Sequence, residues 1–390
     1  MPFGRSGTVA ALGSAQTLAW ASSYYLPAML AAPMAKDLGT SMPVVFAAFS
    51  AALIVSALLG PRIGGAIDRW GGRPVLMVTS VVFALGLTGL GLAQGPAGLF
   101  AAWVVLGIGM GSGLYEAAFA TLVRLYGIGS RNAITGITLI AGFASTVGWP
   151  LSTLLEAHVG WRGACFTWAA LHLLLGLPLN ALLPQAPAPT TVCAAAAPDL
   201  ALSSGSPSSW RGALLLSFVF AATGFVSTAM AAHLPRLLQA TGATLATAVL
   251  VGALIGPAQV GARLLEFGLL RKVHPLRSAR IAAALHPAGA VILAIVGAPA
   301  AAAFGVLHGA GNGILTIAKG TLPLVIFGPQ GYGRRQGVLM VPARITQALS
   351  PWLFGLALDR WGAGALQVSA AVGAIALLAL FLLPRDTTDR

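Results

Sequence analysis

Long apolar stretches, cut at short intervals by glycine, proline and charged clusters, dominate this chain. About 20 apolar residues are needed to cross the hydrocarbon of a bilayer as a helix. Windows of that size fall near 8–32, 43–66, 74–94, 97–123, 132–157 and 163–184. A second set falls near 210–234, 243–270, 278–296, 298–326, 336–358 and 364–384. The pattern predicts twelve transmembrane helices, spans 1 to 12. Between the sets lies QAPAPTTVCAAAAPDLALSSGSPSS, rich in Pro, Ala and Ser and without helical amphipathicity. It reads as a flexible cytoplasmic linker. The expected architecture is an all-α integral membrane protein, with six-helix bundles at 1–184 and 210–390 joined by 185–209.

The two bundles resemble each other at an offset of about 200 residues, the layout of parallel-repeat transporters. GIGMGSG (107–113) lines up with GAGNG (309–313), each in the fourth helix of its half. Gly136 through Pro150 matches Gly337 through Pro351, and LLGP (58–61) matches LIGP (254–257). In such repeats the binding site lies near the bilayer midplane between the halves. Glycines at every second position let helices approach closely. A phosphate-cradling role is disfavoured, because neither strand nor helix N-terminus flanks these glycines as a nucleotide loop requires.

Composition agrees with the membrane reading. The 390 residues are 57% hydrophobic and 8% charged, where a soluble domain averages about 25% charged. The formal charge of +13 is a topology signal and does not indicate nucleic acid. Of 22 Lys and Arg, 14 fall on one predicted side, 4 on the other and 4 within spans. That asymmetry puts both termini in the cytoplasm. The N-terminus lacks a short apolar core with a cleavage site and reads as a retained first span. Two cysteines, Cys165 in a span and Cys193 in a loop, are too few for a disulfide framework.

The charges inside the spans carry the functional signal. A charge at bilayer depth costs at least ~2.5–3.5 kcal/mol on insertion scales, so each retained one needs a partner or a purpose. They are Arg62 on span 2, Glu116 on span 4, Arg263 and Glu266 on span 8, Lys319 on span 10 and Arg344 on span 11. Glu116 is eight residues from Arg124 and Arg263 eight from Arg271; Arg344 is nine from Arg335 and Lys319 nine from Gly328. At ~1.5 Å per residue all four lie ~12–14 Å from the cytoplasmic interface, near the middle of a ~30 Å core. Structural alternatives are a pair of Arg263 with Glu266 on one helical face, and snorkelling of Lys319. Arg62, close to the helix end, reads as an anchor.

After span 2 comes GGAIDRWGGR, with Gly64, Asp68, Arg69, Gly71 and Arg73. Its G-x-x-x-D-R-x-G-x-R spacing resembles the loop 2–3 signature of the major facilitator superfamily, and with twelve spans and a mid-chain linker the resemblance covers the whole chain. It implies a latch, in which Asp68 accepts hydrogen bonds from the next helix's N-terminus and pairs with arginine. A second copy, GLALDRWG (Gly355, Asp359, Arg360, Gly362), ends span 11. The 8–9 loop, RKVHPLRSAR, keeps Arg271, Lys272, Arg277 and Arg280 but has no acidic partner unless Glu266 supplies it. In that superfamily the first and fourth helices of each half line the cavity and the third and sixth face lipid. Spans 3, 6, 9 and 12 hold only His172 and His286 beyond their edges, in agreement.

GPAQVGAR (256–263) resembles the segment of the monocarboxylate transporter family that carries its substrate-binding arginine, here Arg263. That family's aspartate four residues earlier is Gln259 here, and its first-helix lysine is missing. Span 1 instead offers Trp20, Tyr24 and Tyr25, and Lys319 on the symmetry-related span 10 could take the lysine's role. Arginines on spans 8 and 11, Arg263 and Arg344, also resemble the cation pair of the oxalate/formate exchangers, where the second is a lysine. Guanidinium groups hold carboxylates bidentately, and lysine adds a point charge.

These readings converge on a secondary transporter of a small, monocarboxylate-like organic anion, working by alternating access with proton coupling or exchange. The expected binding residues are Arg263, Arg344, Lys319, Tyr24, Tyr25, Trp20 and Gln259, with Glu116 as the proton-coupling group and Asp68, Arg69, Arg73, Gly64 and Gly71 as the latch. The alternative is an efflux pump for a drug, a toxic oxyanion or another amphipathic compound. Trp103 stands where proton-coupled drug exporters carry an arginine, and span 1 has no acidic residue to bind a cationic drug. No enzyme is expected, and no cofactor or metal site: the six histidines are scattered without ligand spacing. The expected partners are a small anionic solute, protons where transport is proton-coupled, and the lipid bilayer. The setting is a bacterial inner membrane, crossed many times by a chain that functions as a monomer.

Overall fold

The computed structural model describes residues 4–186, 207–269 and 273–383. Most of the predicted linker, Cys193, Arg271 and Lys272 lie outside them. Among the described residues the chain is helical, without strands. Eight stretches are long and apolar enough to cross a membrane. Two hold more than one crossing: Pro96–Ala181 has 86 residues and Tyr332–Phe381 has 50. At ~1.5 Å per residue these provide three and two crossings of a ~30 Å core. With the broken first span, Arg5–Ser22 and Leu26–Asp37, the total is twelve.

Glycine makes the sharpest reversals. Gly71 alone separates span 2 (Met42–Trp70) from span 3 (Gly72–Leu92), with φ 82°. Gly160, φ 70°, turns the chain between spans 5 and 6 within Ala144–Leu171. A side chain at either would meet the left-handed penalty that glycine escapes.

The chain divides into two compact units. The first lies within Met1–Ala197 and also takes in Pro329–Val341, the N-terminal part of span 11. The second comprises Pro198–Gly328 and Pro342–Arg390. In the first unit span 4 packs on spans 2 and 3 through its glycines. A Cβ on Gly107 would lie 2.6 Å from the Ala52 carbonyl, one on Gly111 3.1 Å from Ser56 Cα, and one on Gly109 2.9 Å from the Phe83 ring. The second unit repeats this: Gly309 meets the Ile255 carbonyl at 2.8 Å, Gly313 the Gln259 carbonyl at 2.5 Å and Gly311 the Ala282 carbonyl at 2.6 Å. The glycine runs are therefore packing surfaces. They also fix the internal register, in which Ala52 corresponds to Ile255 and Ser56 to Gln259. The LLGP–LIGP match of the sequence lies about two helical turns off this register.

Side chains tie the remaining helix ends within each unit. Arg162, at the start of span 6, donates to the Gly91 and Ala93 carbonyls (2.8 and 2.6 Å) and bridges to Asp37 at 2.9 Å. It thereby caps the C-terminus of span 3 with a cation, where the helix dipole favours one. Arg280 of the 8–9 segment does the same for span 12, donating twice to the Leu380 carbonyl (3.1 and 2.9 Å) and stacking over Phe381. Asp359, in the second copy of the motif, pairs with Arg236 of span 7.

Candidate functional site

The latch residues form a helix cap. Asp68, in the last turn of span 2, accepts a hydrogen bond at Oδ1 from the Gly333 amide and one at Oδ2 from the Arg334 amide, both 2.9 Å. These are two of the first amides of span 11 (Tyr332–Trp361), which no intrahelical carbonyl can satisfy. The expectation named the next helix in sequence, span 3, but the helix engaged is span 11. The reason is close backbone approach. A Cβ on Gly64 would fall on the Gly333 carbonyl, and those on Gly333 and Gly337 would fall on the carbonyls of Gly64 and Gly60. Gly60, Gly333 and Gly337 were missed, although both pairs stand at the i, i+4 spacing of a small-residue interface. Arg335 and Arg124 are the arginines within electrostatic reach of Asp68. Arg69 lies over the Trp70 ring at 5.7 Å, and Arg73 is half-buried. Asp68→Asn keeps one acceptor of two and is expected to cost this conformation ~1–2 kcal/mol. A thermal melt of the purified variant checks this, and an unchanged midpoint would mean that the cap contributes nothing.

Glu116 occupies an unusual position. Span 4 is two helices, Pro96–Gly113 and Tyr115–Tyr126, separated at Leu114 by extended backbone. Glu116 thus lies in the first turn of a new helix inside the span, where the dipole favours a carboxylate. Span 1 also breaks, at Ser23–Tyr25, and span 5 at Gly142–Phe143. Interrupted helices are where transporters expose backbone groups to cargo and ions. None of these breaks was expected from the sequence. Tyr24 and Tyr25 sit in the first of them.

Around that break the rings form one cluster. Trp20 contacts Tyr24 (5.1 Å between centroids), Tyr25 (6.1 Å) and Tyr115 (4.8 Å), while Tyr25 meets Trp149 edge-on at 6.1 Å. Trp149 in turn walls a groove of about 710 Å³ along span 5, with Ser145, Thr146, Pro150 and Thr153. The three expected rings are therefore together, and Tyr115 and Trp149 join them.

In the second unit the arginines are turned inward. Arg263 is 4% exposed although its neighbours Leu264 and Leu265 are 55% and 56% exposed. Its Nε donates to the Gly313 carbonyl of span 10 at 3.4 Å, across the glycine contact that brings Gln259 to the same interface. Glu266, three residues on, is buried as well. Arg344 is 4% exposed, and its Nη1 donates to Gln347 Oε1 at 3.4 Å, one turn on in span 11. Lys319 is half-buried on span 10. Arg62 and Arg69, nearer the end of span 2, are exposed.

A helical membrane fold built as a repeat, with an aspartate of span 2 capping span 11 and charges buried in its spans, narrows the family, and comparison with known proteins decides it. Residues 12–318 match the model of the Major Facilitator Superfamily. This chain belongs to that superfamily. It is a multi-pass membrane transporter of small molecules, not an enzyme. An uncharacterized 38 kDa protein in the 23S RNA operon of Thermoproteus tenax is 30% identical over 379 residues, 92% of each chain. Monocarboxylate transporter 11 of Mus musculus is 34% identical over 139 residues, 34% of this chain and 29% of that protein. Among solved structures, the fucose:proton symporter of E. coli superposes with a TM-score of 0.73 at 16% identity, covering 97% and 98% of the two chains. The human organic anion transporter MFSD10 does so with 0.65 at 17% identity, covering 96% and 99%. These likenesses establish the twelve-helix superfamily fold.

Proposed function

We propose that this superfamily member carries a small organic anion, monocarboxylate-like, through a bacterial inner membrane in which both termini are cytoplasmic. The observation that carries the reading is the burial of two arginines, Arg263 and Arg344, inside apolar spans. Burying a guanidinium carries a desolvation cost, and recognition of an anion is a return that offsets it. Arg263 holds the carboxylate, while Arg344 and Lys319 add charge and Gln259 a hydrogen bond. Trp20, Tyr24 and Tyr25 contact the apolar part of the cargo. The partial likeness to a mouse monocarboxylate transporter supports the same class. The protein works by alternating access as a monomer, driven by proton symport or by exchange, with Asp68, Arg69, Arg73, Gly64 and Gly71 as its conformational latch.

Glu116 is the proton-coupling group in this reading. It is an acidic residue in the first turn of a helix that starts inside span 4. Glu116→Gln is expected to abolish the dependence of uptake on external pH in proteoliposomes, and a variant with the full pH response excludes the role. The ring cluster favours a second reading, efflux of an amphipathic compound. A cell accumulating less of a ring-bearing toxicant, with no carboxylate flux in vesicles, would select it.

A further inference from the structure

The break in span 4 is held open by two side chains from other helices. In an uninterrupted helix the carbonyls of Ser112 and Gly113 would accept from the amides of Glu116 and Ala117. Here the Ala117 amide turns instead to the Leu114 carbonyl, at 3.1 Å, which also accepts the regular bond from Ala118. Both carbonyls meet donors from outside the span: Gln16 Nε2 of span 1 donates to Gly113 O at 2.6 Å, and Thr79 Oγ1 of span 3 shares its one proton between Val75 O of its own helix, at 2.8 Å, and Ser112 O, at 3.1 Å. Thr79 and Gln16 are both buried. A carbonyl left without a donor there would bear the full cost of desolvation, so these two bonds offset the loss of helix continuity.

Other contacts lock the same region. Gln16 stands one turn before Trp20, whose ring rests on Tyr115, the first residue after the break. A Cβ on Gly113 would collide with the Thr79 methyl group at 2.3 Å, so glycine lets span 3 approach closely here. Gln16 Oε1 is a buried acceptor with no hydrogen-bond partner. Tyr332 at the start of span 11 is within electrostatic reach of Glu116 and also of Asp68 and Arg335, and Arg124 lies further along Glu116's own helix.

We propose that Gln16 and Thr79 are positioning residues for proton coupling: by occupying the two carbonyls that span 4 releases at Leu114, they keep Glu116 in the first turn of a separate helix. This rests on the assignment of Glu116 as the coupling group. Without the two donors, span 4 gains by closing into one helix, which removes Glu116 from the N-terminal field.

The test uses full-length protein in proteoliposomes, with Thr79→Val, Thr79→Ser, Gln16→Leu and Glu116→Gln compared. Proton-driven uptake of a carboxylate and counterflow without a proton gradient are measured for each. Thr79→Val and Gln16→Leu are expected to lose about tenfold of the proton-driven component while keeping counterflow, since each removes one buried hydrogen bond without changing shape. Thr79→Ser, which keeps the hydroxyl, is expected to restore it. If Gln16→Leu does not fold, the Thr79 pair decides alone. Loss of proton drive in Glu116→Gln but not in Thr79→Val overturns the positioning role and leaves Glu116 in place. Unchanged proton drive in Glu116→Gln overturns the Glu116 assignment itself, and the positioning role with it.

Discussion

Arg263→Ala is expected to abolish carboxylate flux in proteoliposomes while the protein still inserts and purifies. Truncating one partner of a buried, hydrogen-bonded charge pair costs ~2–5 kcal/mol, a loss of ~30-fold to several thousand-fold in affinity. Arg263→Lys keeps the charge but not the fork, and should recover only part of it, because lysine cannot hold a carboxylate bidentately or reach the Gly313 carbonyl in the same geometry. A structural role for Arg263 predicts otherwise. If the guanidinium only balances Glu266, then Arg263→Ala with Glu266→Gln should transport normally. Flux that survives in either Arg263→Ala or that double variant removes Arg263 from the binding site.

The glycine contact beside Asp68 should produce the second large effect, and an asymmetric one. Gly64→Ala, Gly333→Ala and Gly337→Ala each set a methyl group onto an opposing backbone carbonyl, which cannot rotate away. Gly60→Ala places its Cβ 3.5 Å from the Gly337 carbonyl, an ordinary contact, although it sits in the same row. The first three should destabilise this conformation by ~3 kcal/mol or more, as overpacking without relief does. Gly60→Ala should be nearly silent. Thermal melts together with counterflow rates check this. Equal tolerance at all four positions would mean that spans 2 and 11 do not pack as closely as described.

Much of the fold could be read because membrane burial leaves a one-dimensional trace. A span must be apolar for about 20 residues whatever it packs against, so hydropathy alone located all twelve. The glycine runs at 107–113 and 309–313 were equally readable, since only small residues let helix backbones touch. What could not be read depends on partners remote in sequence. Nothing around Leu114, an apolar residue without proline nearby, announces a break. The donors that meet its carbonyls, Gln16 and Thr79, come from other helices far along the chain. The grouping of Pro329–Val341 with the first unit is similar, because it follows from Gly60 and Gly64 meeting Gly333 and Gly337. The LLGP–LIGP match misled because four apolar letters recur easily in a membrane chain, whereas the contacts at Ala52, Ser56, Ile255 and Gln259 set the true register.

The inward-turned cations Arg263 and Arg344 were legible for a different reason. A charge in an apolar run is costly enough that its position alone carries information. Their burial agrees with that inference. The tyrosines of span 1 were less distinctive, and it is the ring contacts to Tyr115 and Trp149 that give them a common setting.

Ligand-induced stabilisation of the purified protein puts the anion reading most directly at risk. A ligand that binds only the folded protein at ~100 times its Kd adds about 2.7 kcal/mol to stability. Monocarboxylates should raise the melting temperature of the wild type and leave Arg263→Ala unmoved, with neutral sugars such as fucose inert on both. A melting temperature that rises with fucose and ignores every carboxylate, or a carboxylate response that persists in Arg263→Ala, would contradict it.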